Sequence, residues 1–387
     1  PYYGRTHNYE YANITNAMLN YAIPVTSNSI METGYKGIFR SLDADYETSD
    51  KAGNDYIVDT RVSNIYKFNE QIHAAYIQYS GFIGDKDNSR WRYVGGIRAE
   101  QVFNNGDTHI EETSFNNKYI HLFPSANLSY YINSDEFWKL SYGKRINYPS
   151  VGQLGPFIDI TDSLNQHSGN PYLKPEIIHS FELGYNKSWN NYSLTTIAFY
   201  RYSKDVIRTY YDLRPGGVVL YLPKNFGSAS TFGLDNIFYL HPVSFYDATL
   251  SLSLFRLQFD GTGVERPETN DAFGWYCKIV NNFKWNKSKF QLTGNYNSPV
   301  VTPQGKNMAT YYMDFGFQQQ LGKNTHTGIV ATDILNTLKS GYTLNTPAFM
   351  NHRTQKADTR AILFTFAYTF NSAFKEKLLE NRFSREY

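Results

Sequence analysis

Residues 247–254 read DATLSLSL, so that polar and apolar side chains alternate at every position of the stretch. Successive side chains of a β-strand point to opposite faces, so this segment would place a row of leucines on one face and a polar row on the other. The same alternation recurs at 361–370 (AILFTFAYTF), 311–318 (YYMDFGFQ) and 273–280 (FGWYCKIV). About fifteen such segments, each of roughly ten residues, follow one another along the chain, and this periodicity indicates β-strands.

The connectors between these segments fall into two length classes, which alternate along the chain. Short connectors lie at 24–28, 81–89, 132–135, 187–191, 241–244, 285–288 and 321–324. Long connectors lie at 42–66, 104–117, 147–175, 205–225, 260–270, 298–308 and 336–358. Antiparallel outer-membrane barrels have short turns on one side of the membrane and longer loops on the other, so the alternation favours this architecture over a soluble sandwich.

The sequence therefore predicts an all-β fold, namely a transmembrane antiparallel up-and-down β-barrel. Closed barrels are the β-structures that satisfy every backbone hydrogen bond within a bilayer. In such a barrel the large apolar side chains contact outer-membrane lipid, and the polar side chains face the lumen. Four tryptophans near segment ends, Trp91, Trp138, Trp189 and Trp285, fit an aromatic belt at the membrane interface.

Composition and short motifs exclude several other classes. The 387 residues carry a formal net charge of +2, and their Lys and Arg residues are dispersed, so nucleic-acid binding is not expected. No stretch approaches the roughly 18 consecutive apolar residues of a membrane-spanning helix. Cys277 is the only cysteine and the nine histidines lack metal-binding spacing, so neither a cofactor nor a metal site is predicted. No local arrangement of nucleophile, base and orienting group indicates an enzyme.

Charged side chains of both signs occur at positions that the alternation assigns to the lumen. Mixed and dispersed charge suits hydrogen bonding to a plug domain, whereas a ring of one sign would indicate ion selection by an open pore. A water-filled lumen would need the same polar face, and this alternative stays open. The predicted lumen-facing or plug-facing residues are Arg92, Arg98, Glu100, Lys139, Arg145, Glu182, Asp247, Lys278 and Asp314.

The long connectors at 147–175 and 205–225 hold the residues that the sequence offers for ligand capture. The first connector contains GNPYLKPE at 169–176, where prolines fix the backbone and withhold amide donors, so we expect a rigid connector that does not extend the sheet. An ordinary solvated loop explains these connectors equally well. The candidate ligand-contacting residues are Tyr172, Arg208, Tyr210 and Tyr211.

Three longer runs carry a resemblance to a known family. They are FPSANLSYYI at 123–132, the run from LSYGKRINYPS to GNPYLKPEIIHSFELGY at 140–185, and the run from NSPVVTPQGKNM to TDILNT at 297–337. Together they resemble the barrel of TonB-dependent outer-membrane receptors, and in particular the outer membrane β-barrel family of Bacteroidota, in which the place of TDILNT is held by a D-I/L-F-N-T type of ending. The segment AILFTFAYTF resembles the last strand by which bacterial barrels are recognised for insertion.

The resemblance implies functions that the alternation alone does not. It implies a barrel of about 22 strands with a plugged lumen, a plug domain, a short segment that binds TonB, and TonB-energised uptake of an unknown extracellular ligand. Neither plug nor TonB-binding segment precedes the first predicted strand, so we expect residues 1–371 to be the C-terminal portion of such a barrel in a bacterial outer membrane. Residues 372–387 are expected to form a periplasmic tail.

Other functions fit the same strands. A passive porin-like channel would conduct ions without energy input, and a non-transporting barrel would serve as a scaffold in a surface assembly. A soluble all-β binding protein is a further alternative, and it would place the leucine row of residues 250–254 inside a water-soluble core.

Overall fold

The chain is built almost entirely of β-strands, joined by few helical residues. The structure, a computed structural model, describes residues 4–60, 63–84, 89–108, 114–155, 158–160, 162–260, 271–346 and 349–370. The strands are β1 (Gly4–Thr26), β2 (Ser29–Ala52), β3 (Asp55–Val58), β4 (Asn64–Ile83), β5 (Trp91–Thr108), β6 (Ser114–Asn133), β7 (Glu136–Asn147), β8 (Ile158–Asp159), β9 (Asn165–Ser168), β10 (Glu176–Trp189), β11 (Tyr192–Arg214), β12 (Val218–Val243), β13 (Tyr246–Phe259), β14 (Asp271–Trp285), β15 (Ser288–Asn297), β16 (Val300–Thr302), β17 (Gly305–Asn307), β18 (Thr310–Gln320), β19 (Thr325–Thr332), β20 (Ser340–Asn345), β21 (Met350–Gln355) and β22 (Ala361–Tyr368). The helical elements are α1 (Val151–Leu154) and a 3₁₀ turn (Pro215–Gly217).

Fifteen of the described strands form one antiparallel meander, the main sheet. Neighbouring strands pair in the order β1, β2, β4, β5, β6, β7, β10, β11, β12, β13, β14, β15, β18, β19, β22. The number agrees with the prediction of about fifteen strands. The predicted up-and-down topology is therefore confirmed.

Tight turns join the strands at one end of the main sheet, the short-turn end. Two residues separate β1 from β2, β6 from β7, β10 from β11, β12 from β13, and β14 from β15. Asn286 in the last of these turns has a φ of 54°, the left-handed conformation that two-residue hairpin turns require and that asparagine tolerates. The predicted short connectors are confirmed at these positions.

The opposite, long-loop end differs from the prediction, because ladders of the main sheet run through much of three predicted loops, 42–66, 104–117 and 205–225. The β2–β4 ladder begins at the pair Tyr46–Asn64, and the β11–β12 ladder continues to the pair Arg214–Val218. Residues 206–214 are rich in β-branched and aromatic side chains, and glycines at φ 82° and 79° close the hairpin, so the ladder continues beyond the membrane-spanning part. The 23 residues of β11 extend about 75 Å at the usual rise per residue, about three times the height of a barrel's apolar band.

The two faces of the main sheet differ in chemistry. The ladder sets Leu250 and Leu254 beside Ile279 and Trp275, and Ser251 beside Lys278. We call the face with Leu250, Leu252 and Leu254 the apolar face, and the face with Ser251 and Ser253 the polar face. The leucine row is only partly buried, and other apolar-face residues are largely exposed, including Phe364 at 77% and Ile120 at 72%. An exposed apolar face of this extent needs an apolar solvent such as lipid.

Aromatic pairs line the short-turn end of the apolar face. Trp91 packs on Tyr130 and Trp138 packs on Tyr185, each with ring centroids 4.7 Å apart. Both pairs are cross-strand neighbours, an arrangement that stabilises sheets. Their position at one height fits the predicted aromatic belt.

The connector between β7 and β10 folds over the polar face, and we call residues 148–175 the inner loop. Its Leu154 and Leu173 are buried against Tyr66 and Phe68 of β4, with Phe115 of β6 and Ile207 of β11 in the same cluster. The prediction that this segment does not extend the sheet is wrong for β9, which pairs in parallel with β12. No proline falls between residues 157 and 170, so these amides are free to pair.

Two connectors at the long-loop end form a second sheet, the small sheet. Within the described residues it contains four strands in the order β16, β17, β20, β21, all antiparallel. No helix among the described residues is both long and apolar enough to cross a membrane. The predicted tail at 372–387 lies outside the described residues, and the boundary at residue 371 stays a prediction.

Candidate functional site

The inner loop and the two connectors that form the small sheet meet the tip of the β11–β12 hairpin at the long-loop end. The inner loop adds β9 alongside Val219–Tyr221 of β12, and the small sheet approaches from the other side. The Gln304 side chain, which is buried, accepts from the Tyr211 backbone N–H at 2.8 Å and donates to the Tyr211 carbonyl at 3.2 Å. A side-chain amide that pairs with both backbone groups of one residue fixes the small sheet against the hairpin.

Three tyrosines from the β11–β12 hairpin and from β20 form the centre of this region, and we call Tyr211, Tyr221 and Tyr342 the tyrosine cluster. The Tyr211 ring lies 5.0 Å from the Tyr221 ring, edge to face, and 5.4 Å from the Tyr342 ring. The His167 imidazole stacks on Tyr221 with centroids 4.5 Å apart. Such ring pairs contribute about 0.5–1.5 kcal/mol each beyond the area that they bury.

Hydrogen bonds connect the cluster in one direction. The Tyr221 hydroxyl donates to Asn165 Oδ1 at 3.0 Å, and it lies 3.1 Å from the Tyr342 hydroxyl. Because each phenol has a single proton, Tyr342 must then donate to the Tyr221 oxygen. Asn165 Nδ2 in turn donates to Asp162 Oδ2 at 2.8 Å. The Arg353 guanidinium lies beside the Tyr342 hydroxyl, so the chain runs from a cation to a carboxylate.

The acidities of these groups follow from their surroundings. Burial, followed by the contact with Tyr342, raises the pKa of Tyr221 to about 12. Burial also raises the pKa of Tyr211. Hydrogen bonds from Asn165 and from the Leu164 N–H lower the pKa of Asp162. Tyr211 and Tyr221 are therefore neutral at physiological pH, and the hydrogen-bonded chain has a cation at one end and an anion at the other.

Two cavities flank the tyrosine cluster. One, of about 530 Å³, is lined by Asn297, Thr310, Asn307, Tyr342, Arg353 and Gln355. The other, of about 320 Å³, is lined by Gln153, Asp159, His167, Thr209 and Tyr221. Each is within the size range of small-ligand sites, and each combines aromatic with hydrogen-bonding side chains.

The predicted ligand-contacting residues are separated by the structure. Of the four, Tyr211 belongs to the tyrosine cluster. Arg208 lies 3.7 Å from the buried Glu176 carboxylate, Tyr210 carries the Lys224 ammonium 3.6 Å above its ring, and Tyr172 is 81% exposed. Arg208, Tyr210 and Tyr211 lie in strand β11 and not in a loop, which corrects the prediction. Ligand contact by any of the four stays a prediction.

The nine predicted lumen-facing residues all lie on the polar face. The strand pairings place Arg92, Arg98, Glu100, Lys139, Arg145, Glu182, Asp247, Lys278 and Asp314 on the same face as Ser251. Several of them already have partners. Glu100 pairs with Arg98 at 3.0 Å and accepts from the Tyr148 hydroxyl of the inner loop, and Asp247 pairs with Lys284 at 2.9 Å. Contact of this row with a plug domain stays a prediction.

Sequence reasoning missed most of the site. Tyr221, Tyr342, His167 and Arg353 lie in four different strands, separated by up to 186 positions along the chain, the distance from residue 167 to residue 353. Each is one aromatic or polar residue in a segment of ordinary strand composition. Only the pairing of β9 with β12 and of the small sheet with the hairpin brings them together. Among the described residues no group of His, Cys, Asp and Glu has the geometry of a metal site.

Comparison with known proteins identifies the fold. A family model described as "Outer membrane protein beta-barrel family" matches residues 1–368. The copper transporter OprC shares the fold with a TM-score of 0.70 and 11% identity, over 94% of this chain and 58% of that chain. The ferric yersiniabactin uptake receptor FyuA from Yersinia pestis gives a TM-score of 0.63 and 13% identity over 94% and 55%, and the ferric citrate transporter FecA gives 0.62 and 12% over 95% and 56%. The chain thus spans a little more than half of each structure. No curated protein matches the sequence significantly.

Proposed function

Because the chain belongs to the outer membrane protein beta-barrel family, we propose that it is the C-terminal portion of the barrel of a TonB-dependent transporter, which takes up an extracellular ligand. The family lies in the bacterial outer membrane, where the apolar face contacts lipid and the polar face encloses the lumen. The short-turn end is then periplasmic and the long-loop end is extracellular.

One observation carries this proposal: the long-loop end is folded into an assembly with cavities and not into separate solvated loops. The inner loop, the β11–β12 hairpin and the small sheet are joined by backbone pairing, buried leucines and the tyrosine cluster. An outer surface preorganised in this way suits capture of a specific ligand, because ordering costs are met before binding. A passive channel has no need of it.

The inner loop also affects the path of a ligand through the lumen. It lies across the polar face, where Leu154 and Leu173 pack against strands on one side and Asn225 binds it from the other. A ligand that enters the lumen must pass this loop or move it. The proposal assigns that step, together with movement of the plug domain, to the energy supplied through TonB.

The polar face suits contact with a plug domain. Its row of charges has both signs: Lys139, Arg145 and Lys278 lie on the same face as Glu182, Asp247 and Asp314. Mixed charge of this kind can pair with a folded domain without selecting ions of one sign. The cargoes of the neighbours with similar fold, copper, ferric yersiniabactin and ferric citrate, make a compact extracellular solute a reasonable class of ligand for this chain.

The proposal is tested in cells that carry the complete gene. Three strains are compared: the parent, a deletion of this gene, and a deletion of tonB. Medium from each culture is analysed by mass spectrometry for solutes that the parent depletes. We expect at least one solute to remain in the medium of both deletion strains.

Conductance provides the second measurement. The purified complete protein, placed in a planar bilayer in KCl, is expected to hold its lumen closed. Steady KCl conductance, or depletion that continues without TonB, would assign the barrel to the passive channels. Stoichiometric co-purification with one partner, without any change in the medium, would assign it to the scaffolds.

A further inference from the structure

The wall of the larger cavity beside the tyrosine cluster is one face of the small sheet. Asn307 pairs with Tyr342, and Tyr342 pairs with Arg353, so the three side chains form a row across β17, β20 and β21. Gln355 and Ser340, which pair two positions further along, lie on the same face. All five residues line the cavity. The row places a guanidinium, a phenol and two amides on one continuous surface.

The opposite wall comes from the main sheet. Asn297 at the end of β15 donates through Nδ2 to the Thr310 hydroxyl of β18 at 2.9 Å, and both residues line the cavity. The lining is thus rich in hydrogen-bonding groups, and Arg353 is its charged group. Among the described residues no carboxylate lies within 4.0 Å of the Arg353 guanidinium, whereas nine other cations have an ion-pair partner at that distance.

Arg353 is also oriented. Its interaction with the Tyr342 hydroxyl raises the pKa of the guanidinium. Tyr342 is in turn fixed by Tyr221, which is 6% exposed and donates to Asn165. A guanidinium has five N–H donors in a planar fork, so contact with the phenols of Tyr342 and Tyr221 leaves donors for a ligand. Arg353 is exposed, and its guanidinium is oriented by the Tyr342 hydroxyl. Two-point recognition of an oxyanion requires this arrangement.

We infer that this cavity binds an oxyanion group, a carboxylate or a phosphate, of the extracellular ligand, with Arg353 as its principal contact and Tyr342 as the residue that positions Arg353. The inference deepens the proposed function and rests on it for the role of the ligand. Asn307, Gln355 and Thr310 supply hydrogen bonds to hydroxyl groups next to the anion. The ligand class is therefore an anionic and hydroxyl-rich solute.

Ligand-observed NMR, which detects weak binding, tests this inference on the complete protein in detergent micelles. The probes are sodium glucuronate, inorganic phosphate, and glucose as the neutral match for glucuronate. We expect glucuronate or phosphate to bind and glucose not to bind, and the tighter oxyanion identifies the group. Arg353→Gln should weaken oxyanion binding by about tenfold to a hundredfold, since a hydrogen bond to a charged group is lost.

Two further variants separate the role of Arg353 from general effects. Arg214→Gln is the matched control, because Arg214 is also an exposed arginine of the long-loop end, lies 3.8 Å from Asp212 and does not line the cavity. It should change binding by less than about twofold. Tyr342→Phe keeps the ring and loses the hydroxyl, and it should weaken binding by about threefold to tenfold. Heat-dependent migration in gels verifies that each barrel is folded.

Three outcomes overturn the inference. They are binding of neither oxyanion to the parent protein, equal binding of glucose and glucuronate, and equal weakening by Arg353→Gln and Arg214→Gln. Each of them leaves the TonB-dependence of uptake to be decided by the culture-medium experiment, so failure of this inference is distinguishable from failure of the proposed function.

Discussion

At the scale of single residues, Asp333 shows what the TDILNT segment does. Its side chain is 1% exposed, and its carboxylate accepts from the Thr337 N–H at 2.8 Å, from Lys356 Nζ at 3.0 Å and from the Thr359 hydroxyl at 2.6 Å. A buried carboxylate is stable when its oxygens are fully hydrogen-bonded. The segment therefore organises the turn after β19, and it joins this turn to residues 356–359, which lie between β21 and β22.

Replacement of Asp333 tests that role. Asp333→Asn keeps the volume and one acceptor but loses the charge, so the free energy of unfolding should fall by about 1.5–3 kcal/mol. Asp212→Asn is the control, because Asp212 is exposed and pairs only loosely with Arg214, and it should cost less than about 1 kcal/mol. Denaturant unfolding in detergent, followed by tryptophan fluorescence, measures both. Equal losses would contradict an organising role for Asp333.

Tyr221 gives a prediction for pH dependence. Its folded pKa of about 12 exceeds the ordinary phenol value of 10.0, so its contribution to stability is complete below pH 10 and is lost as the pH rises towards 12. Ultraviolet titration should therefore show that Tyr221→Phe removes one phenol from the set of tyrosines that ionise well above pH 10. A difference spectrum centred near the ordinary phenol pKa would show that Tyr221 is solvated.

At the scale of elements, the inner loop combines a rigid sequence with buried anchors. Prolines at 149, 171 and 175 limit its backbone. The Ser150 side chain caps α1 by accepting from the Gln153 N–H, and the Gln153 side chain accepts from the Ser150 N–H. The Tyr119 hydroxyl binds the Leu173 carbonyl at 3.2 Å. GNPYLKPE therefore holds Leu173 against the polar face of the sheet.

Neighbouring residues of this loop offer a matched pair of variants. Leu173 is 1% exposed and Tyr172 is 81% exposed. Leu173→Ala should open the loop, because loss of a buried leucine costs about 2–5 kcal/mol, and amide hydrogen exchange across 150–175 should accelerate by about thirtyfold or more. Tyr172→Ala should leave exchange nearly unchanged. Equal exchange in the two variants would mean that the leucine does not anchor the loop.

At the scale of the whole molecule, the sequence predicts those features of the fold that depend on local periodicity. Strand order, the short turns and the face of each charged residue follow from alternation, because a residue's face is decided by its position in a strand. The long-loop end does not follow, because its pairing depends on contacts between distant segments. The parallel pairing of β9 with β12 and the meeting of Tyr221 with Tyr342 have no local signal in the chain. The site is therefore visible only in the fold.

The sequence overestimates the loop content at the long-loop end. Residues 42–52 and 206–214 keep an extended backbone although they lie beyond the apolar band, since paired ladders need only compatible side chains and not a lipid face. Connector length in the sequence therefore predicts at which end of the sheet a connector lies. It does not predict whether the connector has irregular structure.

The central claim is that the apolar face contacts hydrocarbon and the polar face contacts water. The most direct test places spin labels one at a time on β13 of the complete protein in lipid, after Cys277→Ser, through Leu250→Cys, Ser251→Cys, Leu252→Cys, Ser253→Cys and Leu254→Cys. Power saturation then compares collision with oxygen, which dissolves in lipid, and with a water-soluble nickel chelate. We expect alternation with a period of two, with oxygen favoured at 250, 252 and 254 and nickel at 251 and 253. Low collision rates with both reagents at the three leucine positions would place that row in a protein core and contradict the barrel.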